Sequence, residues 1–526
     1  MERLANSVIL SWGWKRALIA LAAGAIGALA LPPLNVFAAM FVAFTLLVWL
    51  IDGAAGSPES GFVGRILPAF GIGWLFGFGY FVAGLWWLAS PLLADPDFKW
   101  AVPLAVAGLP AVLAIFYGLA AALARLLWPD GLGRIAMLAV SFAILEWLRS
   151  FVLTGFPWNA IGYTAMPIPI MMQPVRLIGV EGMTLLAVFV FAMPALLGTG
   201  KGARIGVALA ALLLVADFGY GHWAMQRFVA RPGKSEISVR LVQPVIGLDE
   251  GDTDESRNAI FDKLLTLSKL PPEGGKKPDV IVWPETAIPF ILTEKQEAFT
   301  RLAELLHDKK TLIAGTVRAE DAGAGSPRRY YNSAYVFDSE GQIVSAADKV
   351  HLVPFGEYMP FADLLRSWGV DTIAALPGGY TAAVTPNLLT LPGGRQIYPL
   401  ICYEAIFPEE IGPAVSRASA LINLTNDIWF GRTPGPYQHF HQARVTAVEL
   451  GLPMIRSANS GISAIIAADG QIISGATIYT SGVVDSTFTL KSVSSLNSSA
   501  RSTNFWLLTV LIFLIAAFSR VSFIFR

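Results

Sequence analysis

From Trp12 to Tyr220 the chain is a succession of apolar runs with short breaks. From about Gly221 to Ser502 it alternates apolar and polar stretches, and from Asn504 it turns apolar again. A chain divided in this way cannot fold around one water-soluble core. Its leading segment has too few polar residues to cover a surface facing water, so it must face lipid. Only 14% of the residues are charged, against about 25% in soluble domains. The balanced net charge offers no basic surface for a nucleic acid, and none is expected as a partner.

A spanning helix needs roughly 20 mostly apolar residues. Candidate spans are Ala17–Leu34, Val36–Ile51, Ile66–Leu88, Val102–Leu127, Ile135–Leu153, Leu177–Leu197, Ile205–Tyr220 and Phe505–Phe525. The expectation is therefore a polytopic α-helical membrane block of about eight spans. It divides into a membrane domain over residues 1–220 with about seven spans, a globular domain over 221–503 and a final transmembrane helix over 504–526. Pro32-Pro33 between the first two short spans predicts a tight hairpin. Lys15-Arg16 ahead of an apolar run also fits a signal peptide with Ala28-Leu29-Ala30 as cleavage site, but further spans follow at once and favour an uncleaved first span.

Loop cations set the orientation. Arg3, Lys15, Arg16, Arg65, Arg125, Arg134, Lys201, Arg204, Arg520 and Arg526 fall on one side of such a block, which puts both termini in the cytoplasm and the globular domain outside it. Trp86, Trp87, Trp100, Trp128, Trp147 and Trp158 cluster at span ends and read as an interfacial aromatic belt. Glu146, Arg149, Arg176 and Glu181 lie in or beside apolar spans, where charges face the bundle interior or the interface.

In the globular stretch, strand-like runs recur at Ile237–Val242, Val280–Trp283, Thr311–Ala314, Ala334–Phe337, Gln396–Ile401, Ala420–Leu424, Met454–Arg456 and Ser463–Ala467. Asp254–Lys269 and Glu294–His307 read as helices, and Ser339-Glu340-Gly341 as a hairpin turn. The mixture predicts layered sheets covered by helices.

Cys402 is the single cysteine of the 526 residues and ends one of these strands. With Tyr403 and Glu404 beside it, it is placed for nucleophilic chemistry. Glu285 follows the strand that ends at Trp283-Pro284, where a carboxylate can act as general base. Lys349 follows the hairpin, and a buried ammonium can lower a thiol pKa or stabilise an oxyanion. Taken singly, each has a plain alternative: a loop carboxylate, a solvated lysine, a core cysteine. His439 and His441 are poorly spaced for one helical face and have no acidic or cysteine partner, so no metal is expected.

The order Trp283-Pro284-Glu285, then the segment from Asp348 to Pro360 containing Pro354-Phe355-Gly356-Glu357, then Ile401-Cys402-Tyr403-Glu404 resembles the nitrilase superfamily. Asn423 to Gly431, Arg444 to Glu449 and Arg456 to Gly461 extend the resemblance over roughly Val239–Val484. With apolar spans on both sides, the whole chain resembles the bacterial apolipoprotein N-acyltransferase family. The resemblance implies a nitrilase-like α-β-β-α sandwich as an extramembrane catalytic domain. It makes Cys402 the nucleophile, Glu285 the general base, Lys349 the oxyanion-stabilising cation and Glu357 a second essential acid. Tyr403 and Glu404 match residues that affect activity, and Phe355 and Trp429 match aromatics near a lipid-facing pocket. A Trp that the family often carries after the first strand has no counterpart in Val242–Glu250.

The implied reaction passes an acyl chain from a phospholipid to the cysteine and then to the α-amine of a diacylated apolipoprotein, in a ping-pong sequence. No cofactor is expected, and a monomer is. The implied location is the bacterial cytoplasmic (inner) membrane, with the catalytic domain on the periplasmic side. Phe361–Thr381, with Pro377-Gly378-Gly379, reads as a movable arm over the site. Two other readings compete: a membrane-anchored amidase or nitrilase with water as acceptor, and a transporter or scaffold with an inactive globular domain.

Overall fold

In the computed structural model of the chain, the stretch that follows the long apolar segment in sequence forms two six-stranded sheets. The structure describes all residues except 55, 57–60, 230–234, 249, 252, 273–275, 324–326, 363–366, 368–378, 491–497 and 525–526. The first sheet is built from β1 (Ser235–Gln243), β2 (Val280–Val282), β3 (Thr311–Glu320), β4 (Arg329–Phe337) and β5 (Ile343–Asp348). The second contains β6 (Leu389–Thr390), β7 (Gln396–Ile401), β8 (Ala420–Asn426), β9 (Met454–Asn459), β10 (Ala464–Ile466) and β11 (Ile472–Gly475). The last strand, β12 (Gly482–Leu490), returns to the first sheet, whose order is β12-β1-β2-β3-β4-β5. The second sheet runs β11-β10-β9-β8-β7-β6.

Each sheet has a parallel centre, β1-β2-β3 in one and β7-β8-β9 in the other, flanked by antiparallel strands. Strand side chains alternate between faces, and the sequence uses both. Val239, Leu241, Val280, Val282, Ile313 and Val336 of the first sheet share one core with Ile397, Ile401, Ile422, Leu424 and Ile455 of the second. The intervening Ile281, Leu312, Ala314, Tyr335 and Phe337 pack instead with Phe261, Leu264, Leu302 and Leu306 from the helices Asp254–Ser268 and Gln296–Leu306. A fully buried Val, Leu or Ile contributes about 1.5–3 kcal/mol, so both faces hold the sheet in place. On the side of the second sheet, Thr446 of the helix Gly435–Leu450 donates to the Ala405 carbonyl at 2.7 Å, in the turn that ends β7. The unit is an α-β-β-α sandwich.

Local chemistry sets the ends of these elements. Thr253 and Ser256 cap the first of the helices reciprocally, each side-chain oxygen accepting the other's backbone N–H at 3.1 Å. In the β4–β5 turn, Asp338 Oδ1 accepts from the N–H groups of Glu340 and Gln342, and Gly341 takes φ +74°, which a side chain would resist. β1 and β12 are locked by the buried fork of Arg240 on Asp485, at 2.8 and 2.7 Å.

The chain groups into two compact units, one of Met1–Arg227, Thr433–His441 and Asn497–Arg526, the other of Phe228–Arg432 and Gln442–Leu496. The boundary drawn at residue 220 falls inside a helix, Ala203–Val229, and the last helix begins at Ser498 rather than 504. Residues 433–441, assigned from sequence to the globular domain, group with the helical unit.

Among the described residues of the helical unit, five helical segments are long and apolar enough to cross a membrane: Phe62–Ala94, Pro96–Leu126, Val175–Gly198, Ala203–Arg227 and Ala500–Ser519. A sixth counts if Glu2–Ile9 and Gly13–Ala28, bent by 118°, form one span. Two of the eight expected spans fall outside this test of length and composition. Ala38–Gly53 has only 16 residues. Leu132–Arg149 carries Arg134, Glu146 and Arg149, all buried, and so is not a uniformly apolar span.

The charges of this helix have partners. Glu146 accepts from Tyr117 Oη at 2.6 Å, from Arg149 at 3.3 Å and from the Ile161 N–H at 2.9 Å, while Arg134 pairs with Asp52 at 3.0 Å. The aromatic belt also needs correction. Trp86 and Trp100 are exposed, but Trp87 and Trp158 are buried, and both donate their indole N–H to Gln438 Oε1, at 3.0 and 2.9 Å. A buried amide oxygen claims them, not an interface.

Candidate active site

The second unit brings the expected site residues to the ends of strands, most of them strands of the parallel centres. Glu285 lies just past β2, Lys349 just past β5, Cys402 just past β7, and Asn426 and Asp427 at the end of β8. Carboxyl ends of parallel strands are where sheets of this kind place ligands.

At the end of β2, Trp283 anchors the turn. Its ring is buried and its Nε1 donates to Ser268 Oγ at 2.8 Å. The chain then passes Gly315 of β3 so closely that a Cβ there would stand 2.4 Å from the Pro284 carbonyl and 2.6 Å from Glu285 Cα. Glycine at 315 is what allows Glu285 to occupy its position. The Glu285 carboxylate is fixed at both oxygens. Oε1 accepts from Asn332 Nδ2 at 2.8 Å and from Lys349 Nζ at 3.3 Å, and Oε2 accepts from the Asn426 N–H at 2.8 Å.

Lys349 is 1% exposed, with its ammonium between two carboxylates. Glu357 lies 3.0 Å away on the other side, accepts from the same Asn332 amide at 2.8 Å and takes the Val353 N–H at 2.7 Å. Burial disfavours the charged lysine, but Glu357, Glu285, the cysteine and Glu404 together outweigh it, and its pKa is raised above the ordinary lysine value. The cluster holds one cation against two anions, with Asn332 bridging the latter.

Cys402 follows with φ +51°, a left-handed conformation that costs a non-glycine residue on the order of 1–3 kcal/mol. It is buried, and its sulfur lies 3.2 Å from Thr425 Oγ1. Its pKa is pushed well up, first by burial and then by the Glu285 charge, with Lys349 and Thr425 acting in the opposite sense. The resting sulfur is therefore a thiol.

Glu404 ties the two segments together. Its buried carboxylate accepts the backbone N–H of Ile401 at 2.6 Å, of Val350 at 2.7 Å and of His351 at 3.1 Å. One side chain thus holds the backbone next to Lys349 against the backbone next to Cys402. Its own pKa is raised by burial, with these three N–H groups and Lys349 opposing.

The remaining expected residues are Tyr403, Phe355 and Trp429. Tyr403 is buried against Phe407 and His351, whose rings stack on each other at 3.9 Å. Phe355, at φ +63°, and Trp429 are about half exposed on the loops that follow β5 and β8. The greater part of the arm expected over Phe361–Thr381 lies outside the described residues. Of the part described, Tyr380 donates its N–H to the Glu357 carbonyl at 2.7 Å. Among the described residues no group of His, Cys, Asp or Glu is placed to hold a metal ion.

Five neighbours of the cluster were given no role from the sequence: Gly315 and Asn332, and Thr425, Asp427 and Arg456 inside segments that carried the resemblance. Three of them share a signal. Asn332, Thr425 and Arg456 are polar residues on strands whose neighbours are buried throughout, a pattern that requires partners inside the fold.

Residues 238–498 match the carbon-nitrogen hydrolase family, and residues 23–193 match the apolipoprotein N-acyltransferase N-terminal domain. The chain is 61% identical to the apolipoprotein N-acyltransferase of Rhizobium rhizogenes over 531 residues, covering 100% of both chains. It is 56% identical to that of Agrobacterium fabrum and 54% identical to that of Rhizobium meliloti, with 99% of each chain covered.

Proposed function

The chain belongs to the apolipoprotein N-acyltransferase family, and from that premise we propose that it moves an acyl chain from a phospholipid, through a thioester on Cys402, to the α-amine of a diacylglyceryl-cysteine at the N-terminus of an apolipoprotein. The observation that carries the assignment of residues is the buried cluster in which Asn332 joins Glu285 and Glu357 around Lys349, on strand ends shared with Cys402.

In the first half-reaction Glu285 accepts the Cys402 proton. The thiolate attacks the ester carbonyl of the phospholipid, and the charge on the carbonyl oxygen is stabilised by Lys349, which has three N–H donors and directs two at its carboxylates. The ester C–O bond breaks, and the lysophospholipid alkoxide takes the proton held by Glu285. In the second half-reaction the α-amine attacks the thioester, Glu285 accepts the amine proton, and the cysteine leaves as thiolate and is reprotonated. Glu357 and Glu404 position Lys349 and the cysteine turn. Phe355 and Trp429 supply exposed apolar surface suited to acyl chains.

Water must be kept from the thioester, or the product becomes a free fatty acid. Membership in the family and the apolar helices favour the amine as acceptor over the amidase reading. The purified protein, incubated with phospholipid and a synthetic diacylated lipopeptide, is expected to convert the peptide to its N-acylated form with equimolar lysophospholipid. Release of fatty acid at the same rate, with no N-acyl peptide, would replace this reading with a hydrolase.

The loop cations support an inner-membrane orientation with both termini cytoplasmic and Cys402 on the periplasmic side. Reporter fusions after residues 130 and 202 are expected to read as cytoplasmic, and fusions after 95 and 300 as periplasmic. A cytoplasmic signal at 300 reverses the orientation.

A further inference from the structure

Behind the cysteine lies a buried polar layer that the reaction above leaves unused. Arg456 and Asp427 are both fully buried and pair at 2.8 Å. Arg456 also donates to Asn423 Oδ1 and, at 3.2 Å, to the Ile462 carbonyl. Asn423 in turn donates to the carbonyl of Leu400 at 2.8 Å and lies 3.4 Å from that of Cys402. Asn423 and Thr425 point away from the core between the sheets, which Ile422 and Leu424 fill. A buried ion pair offers little net stability over apolar residues of similar size. Its position beside the nucleophile calls for a chemical account.

Thr425 supplies it. Its hydroxyl has one proton and two acceptors, Cys402 Sγ at 3.2 Å and Asp427 Oδ1 at 2.9 Å. With the sulfur protonated, the carboxylate is the stronger acceptor. Once the sulfur is ionised the balance changes, because Asp427 is already compensated by Arg456 through its other oxygen.

We propose that Thr425 is a further catalytic residue, whose hydroxyl turns from Asp427 to the Cys402 sulfur as the thiolate forms and turns back when the thioester does. No proton leaves the threonine. The thiol proton goes to Glu285 as before, and only the direction of one hydroxyl changes. The proposal rests on Cys402 being the nucleophile. The charged groups acting on the sulfur are Glu285 from the end of β2, Lys349 from the end of β5 and Asp427 from the end of β8.

Cys402 is the chain's only thiol, so its alkylation can be followed on the full-length protein in detergent without substrate. In Thr425→Val the pH at which iodoacetamide reacts at half its maximal rate is expected to rise by about one to two pH units, since a hydrogen bond to a charged group is lost. Thioester formation from phospholipid at fixed pH is expected to fall about ten- to a hundredfold. Thr425→Ser keeps the hydroxyl and is expected to stay within about threefold of the parent. Should the valine chain fail to fold, Thr425→Ala against Thr425→Ser reads the same contrast.

A valine or alanine variant with the parent's alkylation profile overturns the proposal. So does a serine variant as impaired as valine, because packing rather than the hydroxyl is then what matters. Either result leaves the acyltransferase reading intact if the parent still forms the thioester. A parent that is alkylated but never acylated sinks that reading while the alkylation contrast still tests Thr425.

Discussion

Cys402→Ala is expected to form no acyl-enzyme and to lose lipopeptide acylation by at least on the order of a thousandfold, as removal of a covalent nucleophile does. The parent protein, incubated with phospholipid alone, is expected to gain the mass of one acyl chain on the peptide that contains Cys402. Hydroxylamine should remove it, and a diacylated lipopeptide should discharge it with formation of N-acyl product. Two-substrate kinetics should be ping-pong, because the acyl group rests on the protein between two lipids. No other thiol exists in the chain to confuse the assignment. Cys402→Ser is expected to retain the acyl group as a slowly discharged ester, since an alkoxide leaves less readily than a thiolate. Wild-type rates in Cys402→Ala would remove the nucleophile and the mechanism built on it.

The second large effect concerns the charges around Lys349. Glu285→Gln keeps the shape and the hydrogen bond from the Asn426 N–H but cannot take a proton. Lys349→Ala removes the cation proposed to stabilise the oxyanion. Each is expected to slow thioester formation by roughly two or more orders of magnitude. The two differ in what they do to the fold. Lys349→Ala leaves Glu285 and Glu357 buried, bridged by one amide and facing no cation, and breaking a buried pair in this way costs about 3–5 kcal/mol. Glu285→Gln leaves Lys349 paired with Glu357 and should be much milder. Rates therefore need to be expressed per folded molecule. Near-parent rates in both variants would show that neither group carries the chemistry.

Continuous apolar runs located β2, β7 and β8 close to their final positions and only the apolar parts of β3 and β4, which extend to Glu320 and back to Arg329; β1, β9 and β10 were expected as well. β11 and β12 were not expected. β11 is largely exposed, with Ile472 and Ile473 turned outward, and β12 mixes Asp485, Ser486 and Thr487 into its apolar alternation. What makes β12 a strand is its partner, through the Arg240–Asp485 fork, and a partner is invisible to local pattern. The same reasoning separates the site residues. Glu285, Lys349 and Cys402 each follow a recognisable strand end, but it was their order, through its resemblance to the nitrilase superfamily, that singled them out. Asn332 could not be named, because what distinguishes it is the pair of carboxylates it meets, 47 residues before it and 25 after it in the chain. The buried Arg149–Glu146 pair shows how an expected span can carry charge that a purely apolar window does not register.

The pairing of β1 with β12, in register from Ser235 opposite Leu490 to Gln243 opposite Gly482, joins the first strand of the sandwich to its last. During synthesis β1 emerges more than 200 residues before its edge partner, and until then one side of it shows unpaired N–H and C=O groups. Contacts so distant in sequence are slow to form. A nascent chain halted between them carries an adhesive strand edge beside apolar segments that seek a bilayer. The first sheet closes only when its last strand arrives, and the yield of folded protein should be governed by how fast it does.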